Sequence, residues 1–264
     1  MSLLWRERIS ITLAPQQVTL LRYAGGIRPA LRDRKVINCA PAGDGPAWRG
    51  ALEALREALA HPNTAAADAG IVLSNHFVRY LVLPWNATLA GEREELAFAA
   101  ARFHQVYGEI ARSWTVRLSA GKPGASALAA AVEKALLDAI VALLQNSPLR
   151  LRSLQPALMA ACNSRPGAVA PNAWIALAEP GRLLLGLQRG GNWQSLRSRP
   201  LNGEMVSLAE LIDQELLLLG VDPAGEKVYL HKSGNPPVDV RGLKVESWPA
   251  AVAGAGAAMT RGLQ

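Results

Sequence analysis

The chain has 264 residues, half of them hydrophobic and 19% charged, with a formal net charge of +7. That length buries a substantial core, as one large domain or two modest ones, and the composition excludes intrinsic disorder. No apolar run reaches the roughly 20 residues that a membrane-crossing helix needs: Ala135–Leu144 is broken by Asp138, and Ala250–Met259 is built mainly of Ala, Gly and Val.

The opening residues carry Arg6, Glu7 and Arg8 without the apolar core of a signal peptide, so a cytoplasmic location is expected. Cys39 and Cys162 lie far apart in apolar surroundings and read as free thiols of a reducing compartment. No CxxC or Cys/His cluster marks a zinc site. The positive charge is Arg-rich and scattered, with no run of five basic residues, which suits a solvated surface or an anionic partner.

In chain order, Ile9–Ala14 and Val18–Tyr23 alternate as strands around Pro15-Gln16-Gln17, which predicts a hairpin. Lys35–Ala40 reads as a third strand after Gly25-Gly26. Trp48, Leu52, Leu55 and Leu59 have helical spacing, stopped by His61-Pro62-Asn63. Strands are predicted at Ala69–Ser74 and Val78–Leu83, the latter ended by Pro84. Glu92–Tyr107 is a helix with Glu92, Glu94 and Glu95 in its first turns, where the dipole favours acids, and Gly108 at its end. Ser113–Ser119 is strand-like, Ala127–Gln145 is read as a second long helix, Leu149–Leu154 as a strand and Ala157–Cys162 as a short helix.

Pro166, Gly167 and Pro171 mark a boundary, giving a first lobe over 1–162 with an inserted subdomain and a second over 163–264. Trp174–Ala178, Arg182–Gln188 and Trp193–Arg199 then form three strands. Ser207–Leu219 is a helix with the capping-box pair Ser207 and Glu210. Lys227–His231 and Leu243–Trp248 read as strands, and the last residues as a weak helix or loose end.

An internal repeat is the most informative feature. Ile11-Thr12-Leu13-Ala14 matches Ile175-Ala176-Leu177-Ala178, Gly25-Gly26 matches Gly190-Gly191, and Leu31-Arg32-Asp33-Arg34 matches Leu196-Arg197-Ser198-Arg199. The first pair is one residue out of step with the other two, which an insertion near the first turn reconciles. Two copies of a three-strand meander followed by helices and strands describe an α/β, actin-like (duplicated RNase H-like) fold with two lobes and mixed sheets.

On the segments Ile9–Leu21, Leu73–Pro84 with the helix from Glu92, and Trp174–Arg199, the chain resembles the PilM-type proteins of type IV pilus assembly. It is similar in the same way to the cytoplasmic actin-like domain of the type II secretion L protein. The likeness spans most of the chain as an order of elements and is weak in identities. It implies an Asp-x-Gly turn at each phosphate site, the Asp holding metal and the Gly admitting phosphate. In this chain those places fall on Thr12 and Ala14, flanked by Pro15 and Gln16, and on Ala176 and Ala178, flanked by Glu179 and Gly181. The adenine loop falls near Gly234, followed by Pro236 and Pro237. Both Asp places lack a carboxylate, and Pro15 and Pro180 each remove an amide donor, so a degenerate, pseudo-ATPase site without a cofactor is expected, with ATP-Mg disfavoured.

The resemblance further implies a non-enzymatic scaffold, cytoplasmic and peripheral to the inner membrane. It would dock the cytoplasmic tail of a PilN-like single-pass protein, with the motor ATPase as a further partner and a dimer left open. Arg79, Tyr80 and Trp85 are the candidate partner-binding residues, Trp85 as an exposed aromatic anchor. One alternative is a divergent actin-like ATPase or kinase that still binds ATP-Mg, with Asp33, Glu179 or Asp213 as substitute ligands. Another is a basic nucleic-acid-binding protein, but no basic helix or aromatic-interleaved strand supports nucleic acid as a partner. P-loop and GxSxG sequences are absent, and Gly254-Ala255-Gly256 follows no strand. A metal pair of His76 and His104 is the remaining candidate for metal chemistry.

Overall fold

Two residues, Pro15 and Gln16, turn β1 (Arg8–Ala14) into β2 (Gln17–Tyr23), and the computed structural model describes this hairpin among residues 6–26, 30–60, 65–119, 123–164 and 169–248. Alternation drives the pairing: Ile9, Ile11, Leu13, Val18 and Leu20 are all buried. β3 (Leu31–Asn38) adds antiparallel to β2 and is exposed along nearly its whole length. It starts earlier than its apolar residues suggest, because backbone pairing with β2 continues through Arg32, Asp33 and Arg34.

Helix α1 (Arg49–Leu59) buries Leu52, Leu55 and Leu59. Then come β4 (Ala67–Leu73), β5 (Val78–Leu83) and α2 (Glu92–Tyr107), whose Gly108 N–H caps the His104 carbonyl. A 3-10 turn, Gly108–Ser113, leads into β6 (Trp114–Ser119).

The segment expected as one helix over Ala127–Gln145 is two elements. Ala127–Glu133 is strand β7, and only Lys134–Gln145 is helical, as α3. β7 is the middle strand of a three-stranded sheet ordered β5-β7-β6, and both its faces are covered, Leu128 and Val132 by the main core and Ala129 and Ala131 by the small core under α2. Tertiary burial overrides the helix propensity of alanine here. β8 (Leu149–Pro156) and α4 (Ala157–Ser164) complete the first half.

The second half repeats the pattern: β9 (Ala173–Glu179), β10 (Arg182–Arg189), β11 (Asn192–Pro200), β12 (Val206–Ser207), α5 (Leu208–Leu219), β13 (Lys227–Lys232), β14 (Val238–Asp239) and β15 (Val245–Ser247). Ser207 caps α5 as expected, its hydroxyl accepting from the Glu210 N–H at 3.3 Å. The two large sheets run β3-β2-β1-β4-β8 and β11-β10-β9-β13-β15. In each, the meander is antiparallel and the last three strands are parallel.

The register corrects one step of the repeat. Ala14 pairs with Gln17 and Glu179 with Arg182, so each hairpin turns on two residues and Pro15-Gln16 matches Pro180-Gly181. The same N–H···O link recurs beside each turn, from Ser74 to Leu13 at 2.9 Å and from Ser233 to Ala178 at 2.8 Å. No insertion is needed at the first turn, but the third strands are three residues out of step: Leu20 pairs with Lys35 where Leu185 pairs with Arg197, so the match of Leu31–Arg34 to Leu196–Arg199 does not hold in the structure. The structural equivalents of Thr12 and Ala14 are Leu177 and Glu179, while Ala176 and Ala178 lie inside β9.

One buried cluster joins the halves: Ile11, Leu13, Ile71, Leu73 and Leu158 pack with Ile175, Leu177, Leu184 and Tyr229. The other face of the second sheet, with Trp174, Leu185 and Leu187, packs on Leu208, Ile212 and Leu216 of α5. Leu83, Ala99, Phe103 and Ala129 form a separate small core under α2. Among the described residues, no helix is long and apolar enough to cross a membrane. The helix stop at His61-Pro62-Asn63, Gly254-Ala255-Gly256 and the chain end expected as a weak helix lie outside the described residues.

Candidate functional site

The second hairpin turn meets the first lobe directly. Glu179 ends β9 and is buried, and its carboxylate accepts from Ser74 Oγ at 2.6 Å and from the Asn75 N–H at 3.1 Å. Asn75 Nδ2 donates to it at 3.4 Å, and Asn75 Oδ1 in turn accepts from the Tyr80 hydroxyl at 2.9 Å. His76 Nε2 donates to the Pro180 carbonyl at 2.9 Å, since a carbonyl only accepts. Arg79 binds back to the His76 and Val78 carbonyls, and Arg182 donates to Ser198 Oγ. Gly181, at φ +79°, and Gly234, at φ +71°, take backbone conformations that side chains disfavour. A Cβ at Gly234 would touch Pro180.

Burial pushes the Glu179 carboxyl above its usual range, and the bonds from Ser74 and Asn75 and the charge of Arg182 oppose that shift. Burial lowers His76, and Arg182 and Arg79 lower it further. Burial raises the Tyr80 phenol, with the Glu179 charge adding to it. The seam is therefore a hydrogen-bonded junction in which Glu179 has committed its oxygens to the first lobe.

At the other turn Thr12 pairs with Thr19 inside the hairpin. The Ala14 carbonyl faces Cys39 Sγ at 4.0 Å, and the Gln16 carbonyl accepts from the Cys39 N–H at 2.9 Å. Asp33 lies opposite Arg22, at the end of the sheet away from this turn, and Asp213 lies on α5. Among the described residues no group of three His, Cys, Asp or Glu is placed to hold a metal ion. His76 contacts Pro180, whereas His104 pairs with Glu109 at 2.9 Å. Both cysteines are free and partly buried, and burial pushes the Cys162 thiol up to about 12.

A second feature lies on the inserted subdomain. Leu83, Pro84, Trp85 and Leu89 after β5, with Phe98 of α2 and Leu118 of β6, line a mainly apolar hollow. It shares Pro84 and Ala125 with a neighbouring hollow lined by Val82, Ser126, Asn192, Trp193 and Gln194. The two hollows adjoin between α2 and the β10–β11 hairpin, where Ser126 Oγ donates to the Trp193 carbonyl.

The three expected partner-binding residues separate. Trp85 is 44% exposed at the apolar hollow. Tyr80 is 6% exposed with its hydroxyl taken by Asn75, so it is a core residue and presents no surface to a partner. Arg79 belongs to the seam. Sequence reading missed Ser74 and Asn75; the only signal was a polar pair directly after an apolar strand. It also missed Leu89, Phe98 and Leu118, which spacing alone does not bring together.

Two lobes with the same five-strand order, the second strand set repeating the first, define an actin-like fold. Among solved structures the chain is similar to the cytoplasmic domain of EpsL, an inner membrane component of the type II secretion system of Vibrio cholerae. The TM-score is 0.61 at 10% identity, over 94% of this chain and 91% of that one. It is also similar to the PilM-PilN type IV pilus biogenesis complex, with a TM-score of 0.59 at 15% identity over 86% of this chain and 81% of that one. A Bacteroides thetaiotaomicron protein with an actin-like ATPase fold matches with a TM-score of 0.53 at 11% identity, over 88% and 83%. No protein-family model matches the chain, and no curated protein matches it in sequence. The resemblance read from the element order is thus met in the fold, at identities that speak for the fold alone.

Proposed function

We propose that this chain is a non-enzymatic, cytoplasmic assembly scaffold of a type IV pilus or type II secretion-like machine. It captures the extended cytoplasmic tail of a PilN-like single-pass inner-membrane protein, and so stands at the inner face of that membrane. The observation that carries this reading is the apolar hollow beside Trp85, with an exposed aromatic at its rim and a more polar hollow adjoining it. Extended peptides bind such hollows through alternate side chains, and exposed tryptophans supply much of the energy at interfaces. The likeness to EpsL and to the PilM-PilN complex over most of the chain supports it.

The nucleotide turns are read as degenerate. Glu179, the one carboxylate at either turn, is directed into the seam, and Pro15 and Pro180 offer no amide to phosphate. The scaffold then acts by holding its partners rather than by turnover.

Calorimetric titration with synthetic cytoplasmic tails of single-pass proteins encoded beside this chain tests the reading. Saturable binding that Trp85→Ala weakens is the expected result. Absence of binding by every such tail would overturn it.

A further inference from the structure

The arginines that look scattered in the sequence are gathered by the topology at one end of the first sheet. β1, β3, β4 and β8 start there and β2 ends there. Arg6 and Arg8 stand at the start of β1, Arg22 near the end of β2, Arg32 near the start of β3, and Arg150 and Arg152 near the start of β8. The register lines them up, with Arg8 opposite Asp68, Asp68 opposite Arg150, and Arg22 opposite Asp33.

Two acids in this group each hold two arginines. Glu7 pairs with Arg22 at 2.9 Å and with Arg32 at 2.5 Å, and Asp68 pairs with Arg152 at 3.0 Å and with Arg6 at 3.8 Å. Each carboxylate cancels one charge, so the six arginines outnumber Glu7, Asp33 and Asp68 two to one. Exposed Arg34 and Lys35 extend the positive surface along β3.

The duplicated half shows that the fold does not require this. At the matching end of the second sheet, Arg189 pairs with Glu226 at 2.5 Å and Lys227 with Glu246 at 2.9 Å, and these charges cancel. One copy is basic at this end and its twin is neutral there.

We propose that this end of the first lobe lies directly against an anionic lipid bilayer. Five strand ends side by side, each about 4.8 Å from the next, make a broad front rather than a groove. A protein partner would need an apolar centre to anchor on, whereas among the described residues the exposed large apolar side chain at this end is Leu31, at the rim. A nucleic acid would call for a basic helix or a set of stacking aromatics, and among the described residues these strand ends offer no helix and one aromatic, the half-buried Tyr23. A bilayer asks only for a surplus of exposed cations over a wide area. The contact requires no partner protein, so it is separate from tail capture.

The test is co-sedimentation of the purified chain with vesicles of phosphatidylcholine alone and of equal parts phosphatidylcholine and phosphatidylglycerol. Binding to the second and not the first is expected. It should be lost as salt rises from about 0.1 M to about 1 M, which cuts the screening length from about 10 Å to about 3 Å. Arg34→Gln and Arg150→Gln, both at exposed positions, should each weaken binding about fivefold without changing the melting temperature or the affinity for a tail peptide. Arg241→Gln, on the second lobe, should change nothing. Equal binding to both vesicles, binding to neither, or binding indifferent to Arg34 and Arg150 would overturn the proposal. So would a stronger, equally Arg150-dependent association with duplex DNA or a polyglutamate peptide.

Discussion

The Ser74 hydroxyl donates to the Glu179 carboxylate over 2.6 Å, and the two residues belong to different lobes. Together with the Asn75 N–H they make the polar fastening of the seam. Glu179→Ala leaves Ser74 and the Asn75 amide buried without their acceptor. A loss of about 3 kcal/mol is expected in urea unfolding, with a smaller loss for Ser74→Ala.

The same carboxyl sets a pH dependence. Burial favours its neutral form, so the folded chain holds the proton more tightly than the unfolded chain does. Its contribution is full below the ordinary glutamate range and is lost as pH rises through the raised value. The melting temperature of the wild type should therefore fall over that interval relative to Glu179→Gln, which has no proton to lose. Parallel curves for the two proteins would remove Glu179 as the source.

Tyr80 and Trp85 are five residues apart and should behave oppositely. Tyr80→Phe removes a buried hydrogen bond to Asn75 and should cost about 1 to 2 kcal/mol of stability while tail affinity is kept. Trp85→Ala should leave the melting temperature within a degree or two and weaken tail binding at least about tenfold. Circular dichroism melts beside calorimetric titrations separate the two effects.

Titration with ATP and magnesium should give neither heat nor a shift in melting temperature. Micromolar, magnesium-dependent binding would mean that the turns at Pro15 and Pro180 still receive a nucleotide, and the assembly reading would have to admit an ATPase.

Gly50 lies in the first turn of α1, where a Cβ would collide with the Ala40 carbonyl oxygen. Backbone cannot swing aside as a side chain can. Gly50→Ala should therefore destabilise by about 2 to 3 kcal/mol, although alanine is the better helix former. Denaturant midpoints would show it.

The sequence made the duplication readable because strands with one buried face alternate and glycines mark their turns. Val78–Leu83 came through with both ends correct because Pro84 stops it, and Glu92–Tyr107 because acids open it and Gly108 ends it. Ala127–Glu133 was illegible: a central strand of small residues, buried on both faces, shows no alternation and mimics a helix. The hairpin register was also hidden, since matching Ala14 to Glu179 as equivalent positions depends on which atoms pair. Exposure of Trp85 followed from its position after Pro84. The burial of Tyr80 did not, because its partner Asn75 is fixed by a turn that spacing does not reveal. The basic end of the first sheet was invisible for a related reason: its arginines are neighbours across strands, not along the chain.

The apolar cluster that Ile11, Ile71 and Leu158 share with Ile175, Leu184 and Tyr229 has a consequence for any attempt to divide the molecule. A cut between Ser164 and Ala173 would give two pieces, each showing water the surface that now faces its twin. Neither should be soluble when expressed singly, whereas the two co-expressed should find each other. In a scanning calorimeter the intact chain should melt in one transition, because the cluster shared by both halves couples the core around α5 to the first half.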